Sequence, residues 1–286
     1  MVKNILIQIM GSILPIILSG ALMSQTHNHL AYGKMYEYSK FGVHIGSTFF
    51  TPASTTNHYG NIEIKNKTIL NYSFGINYYH VLQNEWMIML GIWSNPEPLF
   101  SMKFTIKEYD LPSDFGGDLI FKDTGRGIFT FSFPLLFTKS YYHKKNLLSI
   151  IGGYKLMYLP DGYALVSVDT HRSENPLKNR KFTMTLYSSN KHDWYHSLVL
   201  GGGISFPMEN ALIQLNLLYI YNLQPTITGS YIFTNLKTQQ DAGGDYTLSG
   251  SHIMLECAYR IKKSHKKLRK INRANQKAFE IWKKSK

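Results

Sequence analysis

Residues 127–137 read "GIFTFSFPLLF". Phe129, Phe131, Phe133, Leu135 and Phe137 fall on odd positions, while Thr130, Ser132 and Thr138 fall on even ones. Successive side chains of a strand point to opposite faces, so one face is nearly all Phe and the other small and polar. Which medium meets the Phe face decides the fold: a protein core or a lipid bilayer.

Working outward, seven further stretches alternate in the same way: 41–51, 68–82, 85–93, 147–159, 196–206, 211–224 and 246–261. The parity of the third resumes at Phe100, Met102, Phe104 and Ile106 after a break at "NPEP". Links alternate in length. Gln83-Asn84, "SYYHKKN" and "PMEN" are short, and the other four are long and polar, the longest running from about Pro160 to Tyr195. Short turns on one side, long loops on the other and an even strand count predict an eight-stranded, antiparallel, up-and-down transmembrane β-barrel over 41–261.

A soluble sandwich or lipocalin-like barrel alternates too. Two features favour lipid outside. The polar face carries Gly42, Gly46, Gly75, Gly91, Gly153, Gly201, Gly203 and Gly250 with few Lys or Glu, and small residues suit the narrow interior of eight strands. The apolar face stays uniform over strands long enough to cross a bilayer at a tilt. Tyr78, Trp86, Tyr141, Tyr142, Tyr158 and Tyr221 sit near strand ends, where an interfacial aromatic girdle belongs. Pro134, on the lumen side, lacks a ladder donor and predicts a bulge or weakened pairing.

Composition agrees. The 286 residues include 20 Tyr and 16 Phe, and only 17% are charged; this favours strands. One cysteine excludes an internal disulfide and a Cys-rich metal site. The net charge of +13 is local: Arg260–Lys286 holds twelve Lys/Arg and one Glu, leaving about +2 elsewhere. Residues 1–24, with Lys3 before "ILIQIMGSILPIILSGALM", read as an export signal cleaved near Ser24–Gln25, followed by a periplasmic segment, 25–40. Export makes nucleic acid an unexpected partner despite the basic charge.

The export signal, the eight strands, "GGYKLMYL" (152–159) and "LGGGISFP" (200–207) before a tight turn resemble the small outer-membrane β-barrel proteins of the Bacteroidetes type, the PorT-like and OmpW-like barrels. The resemblance implies the outer membrane of a Gram-negative bacterium and contact with outer-membrane lipid. Such barrels often end at a terminal aromatic of the last strand; this chain runs 25 residues past Ile261, so Tyr259 would serve.

Six ionisable residues fall on the inner face: His44, Glu85, Lys155, His252, Glu256 and Arg260. Pairing of the first and last strands should bring His44 near Glu256, with Lys155 reaching across, either as an ion-responsive lumen or as a plug that neutralises buried charge. No nucleophile motif such as G-x-S-x-G occurs, so no enzyme is expected; His171 with Ser173 and Ser189 with His192 are loop neighbours only. The acidic run "EYDLPSDFGGDLIFKD" (108–123) does not match a calcium loop. His27 and His29 lack further ligands, and no cofactor is expected. In the tail, 262–286, Leu268, Ile271, Ala274, Ala278, Ile281 and Trp282 recur at helical spacing among Lys266, Lys267, Arg269, Lys270 and Arg273. This predicts a basic amphipathic periplasmic helix for the inner leaflet or a protein partner. Three roles stay open: a structural or interaction protein in a secretion or envelope assembly, a narrow channel for small hydrophobic or ionic solutes, and a lipid-modifying enzyme.

Overall fold

The computed structural model describes residues 35–60, 62–82, 85–96, 101–111, 117–124, 129–143, 145–160, 163–170, 182–190, 192–237 and 240–264. The expected signal, His27, His29, His171, Ser173, Asp114 and the tail from 265 onward, with Lys266, Lys267, Arg269, Lys270, Arg273 and Trp282, lie outside them.

Among the described residues sixteen strands follow one another: β1 (Phe41–Phe50), β2 (Ser54–Tyr59), β3 (Glu63–Lys67), β4 (Leu70–Val81), β5 (Trp86–Pro96), β6 (Ser101–Ile106), β7 (Leu119–Thr124), β8 (Phe129–His143), β9 (Asn146–Tyr158), β10 (Tyr163–Thr170), β11 (Phe182–Ser189), β12 (Trp194–Pro207), β13 (Ala211–Asn222), β14 (Ile227–Leu236), β15 (Gln240–Leu248) and β16 (His252–Ile261). Eight of them close a barrel in the order β1-β16-β13-β12-β9-β8-β5-β4. Every pairing is antiparallel between neighbours in this meander, and β1 closes it: Ile45 lies opposite Phe74 on one side and Cys257 on the other.

Alternation decides which face is which. Along β1, Phe41, Val43 and Ile45 are exposed while Gly42, His44 and Gly46 are buried. The same holds for Phe131, Phe133 and Phe137 against Thr130, Ser132 and Thr138 on β8. The apolar band runs round the outside through Phe74, Ile76, Leu90, Ile92, Leu200, Leu217 and Leu255. At the end of the barrel that carries the short turns, Lys139 Nζ lies 5.5 Å from the centre of the exposed Trp86 ring.

The described residues of the four long connections, which leave the same end of the barrel, fold into two sheets rather than loops, one ordered β10-β11-β14-β15-β2 and one ordered β3-β6-β7. The two share one apolar core. Met102, Phe104 and Ile106 from the small sheet meet Met184, Leu186, Tyr231, Phe233 and Tyr246 from the large one. The Phe104 ring centre lies 5.6 Å from that of Tyr231 and 5.5 Å from that of Phe233. This corrects the reading of Phe100–Ile106 as a resumed lipid-facing strand. Parity continues past "NPEP", but the chain has already left the barrel, and Met102, Phe104 and Ile106 serve a protein core.

On the cap surface the acidic run forms a short 3-10 turn, Glu108–Asp110, followed by β7. Lys107 Nζ donates to Asp118 at 3.0 Å, and the Glu108 backbone N–H donates to the other Asp118 oxygen at 3.0 Å. The hydrogen bond from Lys107 holds the Asp118 carboxyl below the usual range, and the same bond raises Lys107.

Candidate functional site

The interior of the barrel is packed. The centre is Trp93, fully buried and pointing inward from β5. Its indole N–H donates to Asn77 Oδ1 at 2.7 Å, and its ring meets the His44 ring edge-on at 4.8 Å between centres. Two glycines make the room. A Cβ on Gly75 would stand 2.7 Å from His44 and 2.9 Å from Trp93, and one on Gly91 would stand 2.5 Å from Asn77 Oδ1.

Glu256, 1% exposed, accepts from the Asn216 amide at 2.8 Å and the Asn77 amide at 3.4 Å. His44 Nδ1 lies 3.9 Å from Glu256 Oε1, and His44 Nε2 lies 3.3 Å from Ser73 Oγ. Ser73, His44 and Glu256 thus stand in the order of a nucleophilic triad. Yet 3.9 Å exceeds a hydrogen bond, all three side chains are buried, and neither cavity described below is lined by Ser73. The contacts satisfy the Glu256 carboxylate and engage His44 Nε2, while His44 Nδ1 is left without a hydrogen-bond partner.

The six ionisable residues separate into groups. His44 and Glu256 come together at mid-barrel. Lys155 does not reach them: its ammonium lies 3.5 Å from His252 Nε2 near the cap end. His252 Nδ1 lies 2.9 Å from the Gly250 carbonyl, so Nδ1 carries the proton and Nε2 accepts from Lys155. Arg260 sits at the opposite end, eight residues along β16 from His252 and so about 27 Å away. Glu85 is not in the lumen group at all. It is the turn residue before β5, with φ 68°, and its carboxylate lies 3.6 Å from Lys139 Nζ. Gly250 is likewise a turn residue, with φ +71°. Of the loop pair, Ser189 ends β11 opposite Tyr163, and the His192 ring packs on Tyr195 at 6.3 Å.

Trp93 is legible in strand parity, since it continues the inward set Met87, Met89, Gly91; two other features escape it. The mixed lumen, with Leu136, Val199, Leu218 and Met254 buried on the inner face, is less visible, because an apolar residue there breaks no rule of alternation. The segment Met35–Lys40 had no signal. It folds over the turn end of the barrel, burying Met35 and Tyr38, with Tyr38 bridged to Lys262.

The barrel wall has a weak place. Between β5 and β8 the register runs from Trp86 opposite Lys139 to Leu90 opposite Leu135, skips Gly91 and Ile92, and resumes unshifted at Trp93 opposite Ser132. The skipped partners are Pro134 and Phe133. Pairing is lost without a bulge, because proline removes a donor but adds no residue. On its other side Pro134 stays paired with Lys155. Beside the gap a groove of about 450 Å³ opens on the outer face, lined by Phe74, Ile76, Leu90, Gly91, Ile92 and Phe131 among others.

A closed barrel with hydrogen-bonded polar groups inside and an apolar band outside is inverted relative to a water-soluble barrel. It has the build of a bilayer-spanning β-barrel. Among solved structures, the chain is similar to the outer membrane protein OprG from Pseudomonas aeruginosa, with 11% identity, 79% of this chain and 98% of that one covered, and a TM-score of 0.38. It is also similar to Neisserial surface protein A, with 10% identity over 79% and 99% and a TM-score of 0.29. A major outer membrane protein from Thermus thermophilus overlaps with 11% identity over 79% and 100% and a TM-score of 0.32. No protein-family model matches the chain, and no curated protein matches its sequence. The barrel assignment therefore rests on this chain's own strand pairing and exposure.

Proposed function

We propose that this chain is an exported outer-membrane barrel of the small Bacteroidetes type that carries a folded β-sandwich cap as its working part. On this reading the protein is a structural or interaction component of a secretion or envelope assembly, engaging a protein partner through the cap or the basic tail. One observation carries it. All four long connections converge on a single apolar core at one end of a filled barrel. Ordering that many residues costs conformational entropy that unstructured loops do not incur, and the packed lumen leaves no wide pore to serve instead. The even strand count puts the first and last strands' outer ends on the short-turn side, which in this orientation is periplasmic, and the cap at the cell surface.

The test is co-purification from outer-membrane fractions of the full chain, of a Phe104→Ala variant that loosens the cap, and of a chain lacking residues 265–286. Loss of a stoichiometric partner with the cap variant assigns the interaction to the cap, and loss with the truncation assigns it to the tail. A chain with no partner in any form refutes the interaction role.

A second reading has its own observation. The unpaired stretch at Pro134 and the apolar groove beside it suit a narrow conduit for small hydrophobic solutes through the wall. Reconstituted vesicles would take up such solutes faster than vesicles holding Pro134→Ala, which regains the missing donor. Equal rates refute this reading.

A further inference from the structure

The turn end of the barrel holds a buried cation of a different kind from Lys155. The Arg260 side chain is 1% exposed and turns inward beneath the Met35–Lys40 segment. Its Nε donates to the Ser39 carbonyl at 2.9 Å. Its Nη1 points at the sulfurs of Met87 and Met35, at 3.7 and 4.0 Å, and sulfur is a weak acceptor. Its guanidinium carbon lies 4.3 Å from the centre of the Tyr79 ring. Among the described residues no carboxylate forms an ion pair with it. The nearby Glu37 is taken by Lys262 at 3.4 Å. A guanidinium has five N–H donors, and a buried charge is expensive without a counter-charge.

Arg260 borders a cavity of about 20 Å³, walled also by Lys40, Lys263, His80, Tyr36 and Tyr79. Lys263 is fixed at its edge, with Nζ donating to the Tyr36 carbonyl at 2.7 Å and lying 4.7 Å from the Tyr36 ring centre. The space holds one water-sized species. It is too small for a phosphate or a carboxylate-bearing metabolite. Among the described residues its wall holds three cationic side chains and no carboxylate, with Met35 and Val81 as its aliphatic part.

We propose that this cavity is a binding site for a single small monovalent anion of chloride size, held by Arg260 and the Lys263 ammonium under the Met35–Lys40 segment. The anion supplies the counter-charge that Arg260 lacks among the described residues. It also ties the N-terminal segment to the last strand, since Arg260 and Lys263 contact Ser39 and Tyr36. The site is independent of either functional reading above.

The experiment uses the full chain folded in detergent. Chloride is titrated against gluconate at constant ionic strength, and barrel unfolding is followed by heat-modifiable gel mobility. The wild type should gain thermal stability saturably with chloride and bromide and not with gluconate. Arg260→Met should lose that response. Lys263→Met, which leaves the buried guanidinium in place, should raise the half-saturating chloride concentration about tenfold, the worth of one charge-assisted contact, and keeps the test open should the Arg260 variant fail to fold. Crystals in bromide should show an anomalous peak beside Arg260. Equal stability in chloride and gluconate overturns the proposal, as does an undiminished chloride response in either variant. A bromide peak without anion-dependent stability marks an adventitious ion only and overturns it too.

Discussion

Replacing Phe104 by alanine should unfold the cap and spare the barrel. Phe104 is fully buried, and its ring packs against Phe121, Tyr231 and Phe233, with centres 6.4, 5.6 and 5.5 Å away. Phe121 belongs to its own sheet, and Tyr231 and Phe233 to the opposite one, so the side chain spans the interface that holds the two sheets together. Deleting a buried Phe side chain costs about 3–5 kcal/mol, because lost transfer energy adds to the cavity left behind. At about 4 kcal/mol the opening equilibrium of the cap rises by about a thousandfold. None of the barrel pairings passes through this residue, so the heat-sensitive gel band of the barrel should persist. Hydrogen exchange read peptide by peptide is the assay. Peptides from β6, β11, β14 and β15 should lose protection while those from β9, β12 and β13 keep theirs. Uniform loss across cap and barrel would refute the separate core, and unchanged exchange in β6 and β14 would refute the packing itself.

Further perturbations separate the remaining claims. Ile45, 61% exposed at the middle of β1, should cost about 2–4 kcal/mol when changed to Lys if it faces the bilayer midplane; folding titrations into lipid vesicles measure this, and a near-neutral result would mean water outside. Pro134→Ala should restore one backbone hydrogen bond to β5 and stabilise the barrel by about 1 kcal/mol, seen as a higher temperature for loss of the heat-sensitive band; no gain would mean the gap has another cause. Glu256→Ala strands the amide donors of Asn216 and Asn77 and should cost about 2–4 kcal/mol, while Glu256→Gln should be markedly milder; equal costs would count against the hydrogen-bond account. The Lys107–Asp118 clip sets a pH window. Asp118 is lowered, so its contribution is present above about pH 3.9, its unfolded value, and fades as pH falls through the lower folded value. Lys107 is raised, so its contribution is present below about pH 10.4 and fades as pH rises through the higher folded value. Exchange at the Glu108 amide should therefore slow between these limits, and Asp118→Asn should flatten the profile.

Strand parity made the barrel legible because two faces of each strand meet two different media, and every residue of the opening Phe stretch had to choose one. The same rule brought His44 near Glu256, since closing a meander of eight requires the first strand to meet the last; in the register His44 itself stands opposite Ala258 and Gly46 opposite Glu256. It also flagged Pro134, whose missing donor is a property of the residue and needs no partner to be known. Parity misread Phe100–Ile106, because alternation names a buried face and not what buries it; lipid and a second sheet look alike from one strand.

What the sequence determined by itself is therefore local and periodic: eight crossing strands, their lumen and outer faces, their short turns and the donor missing from the wall at Pro134. What only the tertiary structure decided is everything that depends on contacts between distant segments. The four connections, separated by tens of residues, become one sandwich only because their apolar faces bury one another. Lys155 meets His252 rather than Glu256 because the level of a side chain in the lumen follows from barrel register. Arg260 lies beneath Met35–Lys40 because the chain before β1 folds back over the barrel end. None of these is written in spacing, since the free energy that selects them comes from burial between elements that the sequence leaves far apart.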